Sequence, residues 1–531
     1  MSLLAKIMKQ RGFDEGFLCP EYGNFGKLPE VELAAERIMQ AAEKGEKVII
    51  YGDYDADGVT ASTVMREALS LVGIKGIEVM LPDRFKDGYG MSQRLVERAK
   101  EISVGLVVTV DCGSGNAEII DELNNLGVDV VVTDHHECLK DLPRAVAVVN
   151  PHRRDVETPE DLKNLAGVGV AFMVAYELML KGAIPEGQEK WLLDMVLIGT
   201  VCDSMVLTGA NRILCYYGMK VVAKTRRAGL LELMRRAGVK QINSEAIGFQ
   251  IGPRINAAGR MQSADLAFEL LNAKSRVEAA RLAEELEHLN GLRKEEQLRA
   301  GREIAERGIG PEKVLVEVGD WHEGVLGIIA GRLVEDYKRP AFALTEVDGV
   351  MKGSGRSFGE FNLAEALLEC QNCLVGGGGH AGACGLKLLK EQVNNFRKAV
   401  NKYYDSLGLT GQEKYLEVAE DLVLDDLSEV TVEEIEDLNR LEPYGEGNSE
   451  PVVLLDGMEV VEVRKMGADG QHLKLILRDK NGRTMAVMAF FAPEEWLKIQ
   501  PMQKVSVKAH LMINEWQGVK NAEGRIISIQ A

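Results

Sequence analysis

Three aspartates at alternate positions, Asp53, Asp55 and Asp57, stand within Tyr51-Gly-Asp-Tyr-Asp-Ala-Asp-Gly-Val-Thr60. Carboxylates this close repel one another, and burying each one ionised and alone would cost several kcal/mol or more. A multivalent cation removes that penalty, and a set of oxygen ligands suits Mg²⁺ or Mn²⁺. An acidic, solvated turn has the same composition. The choice between the two rests on what else in the chain could complete a metal site.

The elements around the cluster supply an answer. An apolar run, Lys47-Val-Ile-Ile50, reads as a buried strand, and Gly58 turns the chain into a helical pattern from Val59. Further strands are predicted over Ile77–Leu81, Gly105–Asp111, Val128–Asp134 and Ala145–Asn150, with helices over Val59–Val72, Ser92–Ala99 and Ala117–Leu126. Short apolar runs alternating with helices imply a mostly parallel sheet covered on both faces. Polar residues collect where these strands end: Asp111-Cys-Gly113, Asp134-His135-His136-Glu137 and Asn150-Pro-His152. Ligands of open α/β sheets bind at that edge, so one site can gather all of them. That convergence favours a metal centre over a solvated turn. Farther on, Trp191–Asp203 is apolar nearly all round and marks a buried helix. Asp203 at its end either holds a cation or caps the following turn.

The rest of the chain divides by pattern. Residues 1–46 read as a helical extension with a helix over Pro29–Lys44, and residues 275–307 as a long charged helix that Gly291 could bend and that Gly308–Pro311 ends. A second α/β segment runs from about Lys313 to Leu409. It carries two glycine-rich stretches, Lys352-Gly-Ser-Gly-Arg356-Ser357 and Gly376-Gly-Gly-Gly-His380-Ala-Gly382, which read as loops whose N–H groups could meet phosphate oxygens. Neither is a P-loop or a dinucleotide fingerprint. With His322, Arg356 and His380 they suggest an anion-binding wall; Arg254 and Arg260 form a weaker signal of the same kind. After Gly408–Gly411, strand-like alternation over Glu459–Val463, His472–Leu477, Thr484–Phe490, Lys504–Met512 and Arg525–Gln530 fits a small β-barrel of the oligonucleotide-binding type.

Bulk properties narrow the class. A chain of 531 residues holds roughly two to four domains. Its net charge of −19 argues against a protein that coats nucleic acid non-specifically, though not against a nucleic-acid substrate. No apolar run approaches a bilayer span, the N-terminus lacks a signal-peptide pattern, and eight cysteines in so long a chain form no disulfide framework. A reducing cytoplasm and no membrane association are expected.

Together the motifs GDYDADG (Gly52–Gly58), VDCG (Val110–Gly113), DHH (Asp134–His136), GTVCD (Gly199–Asp203), RINAAGR (Arg254–Arg260), WHEGVLG (Trp321–Gly327), GSGRS (Gly353–Ser357), GGGGHAGACG (Gly376–Gly385) and EPYGEGN (Glu442–Asn448) resemble the DHH phosphoesterase family, in its single-strand-specific exonuclease branch. The resemblance covers nearly the whole chain. It implies an α/β fold: a parallel-sheet DHH domain (47–274) after the extension (1–46), a long bridging helix (275–309), a second α/β DHH-associated domain (310–410) and a C-terminal OB-like β-barrel (411–531). It further implies two Mn²⁺ or Mg²⁺ ions held by Asp55, Asp57, Asp111, His135 and Asp203, with Asp111 and Asp203 bridging. Asp53 and Asp134 would support these ligands, and His136 would face the scissile phosphate. Arg254, Arg260, His322, Arg356, Ser357, Gly378, Gly379 and His380 would bind substrate. Relatives place a histidine ligand where this chain has Tyr51, which implies one metal held more weakly, with Asp53 or water filling the gap.

The implied activity is metal-dependent 5′-to-3′ hydrolysis of single-stranded DNA to 5′-mononucleotides in DNA repair and recombination, by a monomer that a helicase or single-strand-binding protein could assist. Two other readings stand beside it. A phosphodiesterase for short oligonucleotides or cyclic dinucleotides, or a pyrophosphatase, would not need the bridging helix and barrel. A DNA-binding scaffold without activity would gain little from a repelling carboxylate cluster.

Overall fold

The computed structural model describes residues 1–530 except 24, 89, 139, 140, 411, 416, 417 and 468. The first sheet comprises β1 (Val48–Tyr51), β2 (Ile77–Met80), β3 (Leu106–Val110), β4 (Asp129–Thr133) and β5 (Ala147–Val149). It is parallel throughout, in the order β2-β1-β3-β4-β5. Alternation along β1 sends Val48 and Ile50 into one core, with the helices Ala56–Val72 and Gly167–Leu180. Ile49 and Tyr51 enter the opposite core, with the helices Gln93–Ile102 and Ala117–Asn125. The chain passes from β1 outward to β2 and returns on the other side to β3. The crevice between the ends of β1 and β3 is therefore the switch point where such sheets bind ligands.

A 32-residue helix, Arg276–Arg307, leads out of this unit. At 1.5 Å per residue it spans about 48 Å. Ser275 caps its start by accepting the Glu278 N–H, Gly308 ends it, and it passes Gly291 without interruption. Its first half buries Leu282 and Leu286 against the first domain, and its second half buries Ala300 and Ile304 against the second.

The second sheet comprises β6 (Leu315–Val318), β7 (Ala341–Val347), β8 (Val350–Arg356), β9 (Gly376–Gly379) and β10 (Ala383–Leu388), in the order β6-β7-β8-β10-β9. Most of both glycine-rich stretches, expected as loops, lies in strands: β8 takes in Lys352–Arg356 and β9 Gly376–Gly379, while His380, Ala381 and Gly382 form the turn into β10. Glycine disfavours strands by propensity, and here its neighbours override that preference. A Cβ on Gly353 would lie 2.1 Å from Leu344 Cδ2, and one on Gly355 would lie 2.6 Å from Phe342 Cε1. β9 forms the exposed sheet edge, with all four of its glycines at the surface.

The C-terminal sheet comprises β11 (Leu422–Leu424), β12 (Val453–Met466), β13 (His472–Arg478), β14 (Thr484–Ala489), β15 (Lys504–Trp516) and β16 (Val519–Gln530). It closes into a barrel through the β12–β15 pairing. The architecture is thus the expected α/β class with a terminal barrel.

The N-terminal segment does not form a unit of its own. Leu3, Leu4, Ile7 and Leu18 belong to the barrel's core, whereas Val31, Ala34 and Ile38 of the helix Val31–Lys44 belong to the core of the first domain. Arg11 grips Asp421 with two hydrogen bonds of 2.6 and 2.8 Å, and the Leu3 N–H donates to Glu434 at 2.7 Å.

Candidate metal centre

Each carboxylate of the centre is aimed by backbone geometry. Asp55 caps the helix Ala56–Val72, its Oδ1 accepting the Gly58 N–H at 3.0 Å. Asp57, in the first turn of that helix, accepts the N–H groups of Gly167 (2.6 Å) and Val168 (2.9 Å) at the start of the helix Gly167–Leu180. Asp111 follows β3 in the left-handed region (φ 60°), an uncommon conformation for a residue with a side chain. Asp203 ends the helix Leu193–Cys202. Two glycines permit the close approach: a Cβ on Gly167 would lie 2.5 Å from Asp111 Oδ1, and one on Gly199 would lie 2.8 Å from Asp57 Oδ1.

His135 stands at the centre. Its Nε2 is 3.1 Å from Asp111 Oδ1, 3.6 Å from Asp203 Oδ2 and 3.8 Å from Asp57 Oδ2. Three sets of ligand atoms lie mutually within 4.8 Å: Asp57–His135–Asp203, Asp53–Asp55–Asp111 and Asp111–His135–His136. Asp111 and His135 each belong to two of them. The expected ligands therefore come together, with Asp53 among them.

The electrostatics fit a cation. Burial, and then repulsion from neighbouring carboxylates, pushes Asp53, Asp57, Asp111 and Asp203 well above the usual carboxylate range. Burial holds the His135 imidazole down to about 4, so at neutral pH it is uncharged and can offer a lone pair to a metal. Buried Asp111 Oδ1 has no hydrogen-bond partner although His135 Nε2 lies 3.1 Å away, a gap between two potential ligand atoms that a cation can fill. Hard oxygen donors with one imidazole suit Mn²⁺ or Mg²⁺.

Asp134 and His136 play different parts. Asp134 Oδ1 accepts the N–H groups of His135 (2.7 Å) and His136 (3.1 Å) and contacts His136 Nδ1 (2.8 Å), while Oδ2 accepts the Ser114 N–H (2.9 Å). Burial opposes charge on His136, but the Asp134 hydrogen bond together with the charges of Asp134, Asp53 and Asp203 outweighs it and raises the ring to about 9. Against the effect of burial, that bond, the charges of His136 and His135 and the Ser114 N–H together hold the Asp134 carboxyl well below its usual range. Asp134 thus orients the turn, and His136 is a cation beside the carboxylates.

Tyr51 does not stand in for a ligand. It is fully buried in the core under the opposite face of the sheet, its hydroxyl donating to the Gly90 carbonyl at 3.1 Å. Position 51 thus supplies no ligand, and Asp53, grouped with Asp55 and Asp111, stands where it can fill that gap.

Comparison with known proteins places this geometry. Residues 47–200 match the DHH family N-terminal domain, 312–406 the DHHA1 domain and 421–528 the RecJ OB domain. The single-stranded-DNA-specific exonuclease RecJ of Bacillus subtilis is 36% identical, the match covering 98% of this chain and 67% of that protein. The Escherichia coli protein of the same name is 34% identical, over 94% of this chain and 89% of its own length. The chain belongs to the RecJ family. The crystal structure of Thermus thermophilus RecJ in complex with Mn²⁺ superposes with a TM-score of 0.86 at 30% identity, covering 99% of this chain and 76% of that one. A Mg²⁺ complex of RecJ from the same organism also matches, with a TM-score of 0.80. The Thermus thermophilus protein thus binds both ions, and this RecJ-family chain carries acidic and histidine clusters able to hold such ions.

The expected substrate-binding residues fare unevenly in this RecJ-family cleft. Arg260 donates to the Gly324 carbonyl (3.4 Å), and Arg356 to its neighbour's carbonyl (2.9 Å). Burial, then the Arg84 guanidinium, lowers Arg260 to about 10, and burial also lowers Arg356. Cations held this way favour an anionic ligand. Arg254 differs: it is clamped by Glu287 of the long helix at 2.6 and 3.1 Å and ties two helices together. His322 Nδ1 accepts the Gly324 N–H (3.1 Å), and the Ser357 hydroxyl donates to the Phe361 carbonyl, so both shape turns. Gly378, Gly379 and His380 lie exposed along and just beyond β9.

Two residues escaped the sequence reading. Arg84 stacks 4.2 Å over the Tyr54 ring and is felt electrostatically by Asp53, Arg260 and Arg356. Asn256 accepts the Ala56 N–H at 2.9 Å and so braces the acidic turn. The motif around Arg254 could have pointed to Asn256; Arg84 sits in a polar stretch with no periodic signal.

Proposed function

We propose that this chain is a metal-dependent exonuclease that hydrolyses single-stranded DNA from the 5′ end and releases 5′-mononucleotides. One observation carries the reading: three carboxylates from separate segments of the chain lie within 3.8 Å of His135 Nε2 at the switch point of the sheet. Asp55, Asp57, Asp111, His135 and Asp203 would hold two ions, and Asp53 would join Asp111 at one of them. Bound there, such ions supply activation of a water and a clamp on the attacking and leaving oxygens of an in-line displacement.

The chain's own residues do the rest. The amides of Gly167 and Val168 fix Asp57, so its carboxylate needs no reorganisation when substrate arrives. His136, its Nδ1 held by Asp134, would face the phosphorus centre as it gains negative charge. Arg84, Arg260 and Arg356 supply guanidinium groups for the phosphates of the entering end. The barrel offers a second surface along which a strand can run. The domain divisions at about residues 46, 274, 309 and 410 belong to the same reading, except that residues 1–18 go with the barrel. A cytoplasmic monomer working behind a helicase or with a single-strand-binding protein fits a chain with net charge −19, which captures DNA poorly unaided.

The test uses purified protein, Mn²⁺ and single strands labelled at either end, beside a blunt duplex. Early release of labelled mononucleotide from the 5′-labelled strand alone is the expected result. Cleavage confined to di- to tetranucleotides would replace this reading with that of a short-substrate phosphodiesterase.

A further inference from the structure

The Asn150-Pro-His152 segment that follows β5 takes no part in the chemistry above, yet it lies directly behind it. Asn150 is fully buried. Its Oδ1 accepts the His152 N–H at 2.7 Å, and its Nδ2 donates to Ser114 Oγ at 2.8 Å and to the His136 carbonyl at 3.0 Å. His152 Nδ1 lies 2.5 Å from the His135 carbonyl oxygen. A carbonyl only accepts, so the His152 ring must carry its proton on Nδ1.

These bonds complete a pattern. The ladder between β4 and β5 ends with the Asp134 N–H donating to the Val149 carbonyl. Beyond it, the N–H groups of His135 and His136 are taken by Asp134, on one side. Their carbonyls are taken by His152 and Asn150, on the other. The backbone N–H and C=O of each histidine are thus both held, and the peptide group that joins the two is gripped at both ends. We infer that Asn150 and His152 are positioning residues of the metal centre, fixing the Asp-His-His turn so that His135 Nε2 stays aimed at Asp57, Asp111 and Asp203. The lever is long: a tilt of about 15° in the His135 peptide displaces Nε2 by roughly 1 Å, enough to spoil a ligand geometry. Neither residue needs to touch metal or DNA. The inference rests on the reading of this site as a metal centre.

His152→Asn and His152→Leu in the full chain test it, because an asparagine Nδ2 can replace the donor at Nδ1 and leucine cannot. Mn²⁺ binding is followed by electron paramagnetic resonance, turnover on a 5′-labelled single strand, and folding by thermal melting. The leucine variant should bind Mn²⁺ about 10–100-fold more weakly and lose kcat to a similar extent, the usual cost of removing a residue that orients a ligand. Its KM should stay within about twofold of the unmodified chain, and the asparagine variant should recover most of both losses. Unchanged Mn²⁺ affinity in the leucine variant overturns the inference, as does an asparagine variant that falls equally far. If the leucine variant does not fold, His152→Asp takes its place against His152→Asn, since it sets an acceptor against the carbonyl at nearly the same size. An unmodified chain that neither binds Mn²⁺ nor cleaves DNA would instead refute the metal centre itself.

Discussion

Asn256 Oδ1 holds the Ala56 N–H at 2.9 Å, so a residue 200 positions downstream closes the acidic turn between Asp55 and Asp57. Gly259 of the same helix comes so near that a Cβ there would lie 2.5 Å from the Tyr54 carbonyl. Replacing Asn256 with alanine leaves a partly buried N–H without its acceptor, at a cost of about 1–3 kcal/mol. Asn256→Ala should lower both the melting temperature and kcat, and Asn256→Asp, which keeps the acceptor, should recover the melting temperature more fully than the rate.

Removing a carboxylate from the cluster should separate stability from function. Asp111→Asn relieves repulsion that the buried site otherwise bears. In a chelator the variant should melt no lower than the unmodified chain, whereas the stabilisation produced by adding Mn²⁺ should vanish along with turnover. A variant that retains near-normal rates would remove Asp111 from the centre.

The same repulsion sets a pH dependence. Between about pH 7.5 and 9, His135 is largely uncharged in the folded and unfolded states alike. In that window Asp53 (about 8), Asp203 (about 9) and His136 (about 9) bind protons more tightly in the folded chain than in the unfolded one. The native state therefore holds more protons, and stability must fall as pH rises. Melting in a chelator should drop by several degrees from about pH 7.5 to 9, and saturating Mn²⁺ should flatten the slope, because a bound cation replaces the protons.

Two arginines of one motif should behave in opposite ways. Arg254→Ala breaks a two-bonded pair with Glu287, which is about one-third exposed, so a loss of about 1–2 kcal/mol is expected with kcat nearly unchanged. Arg260→Ala removes a cation that burial already disfavours. It should cost little stability and raise KM for single strands. Melting curves set beside Michaelis constants decide the matter.

The packing of residues 3–18 changes what a truncation can report. Ending the chain at residue 410 strips the cover from Leu3, Leu4, Ile7 and Leu18. Such a protein should aggregate, and removing residues 1–19 as well should restore a soluble, monodisperse chain by light scattering. Only the doubly shortened protein would show whether the barrel contributes chiefly to long strands.

What could be read from the residues alone follows from where the physics is local. Strands that end in acids and histidines announced Asp55, Asp57, Asp111 and His135, because a parallel sheet brings strand ends to one edge whatever its loops do. Asp203 was visible as a charge at the end of an apolar helix. The glycine strands were not, since glycine carries no side-chain pattern and its neighbours Leu344 and Phe342 impose its place. Arg254 and Ser357 looked like anion ligands, but their partners, Glu287 and the Phe361 carbonyl, are fixed by tertiary packing. Nor could any local signal join the first helix to the barrel, because the contact spans 431 positions.

That contact also constrains how the molecule comes into being. Ribosomes add about 5–20 residues per second, so the first helix emerges roughly 20–90 s before Glu434. Throughout that interval its apolar stripe has no native place to go, while the sheet and its helices can already assemble. A helix made early is thus late to settle, and completing the barrel is the event that gives it its place.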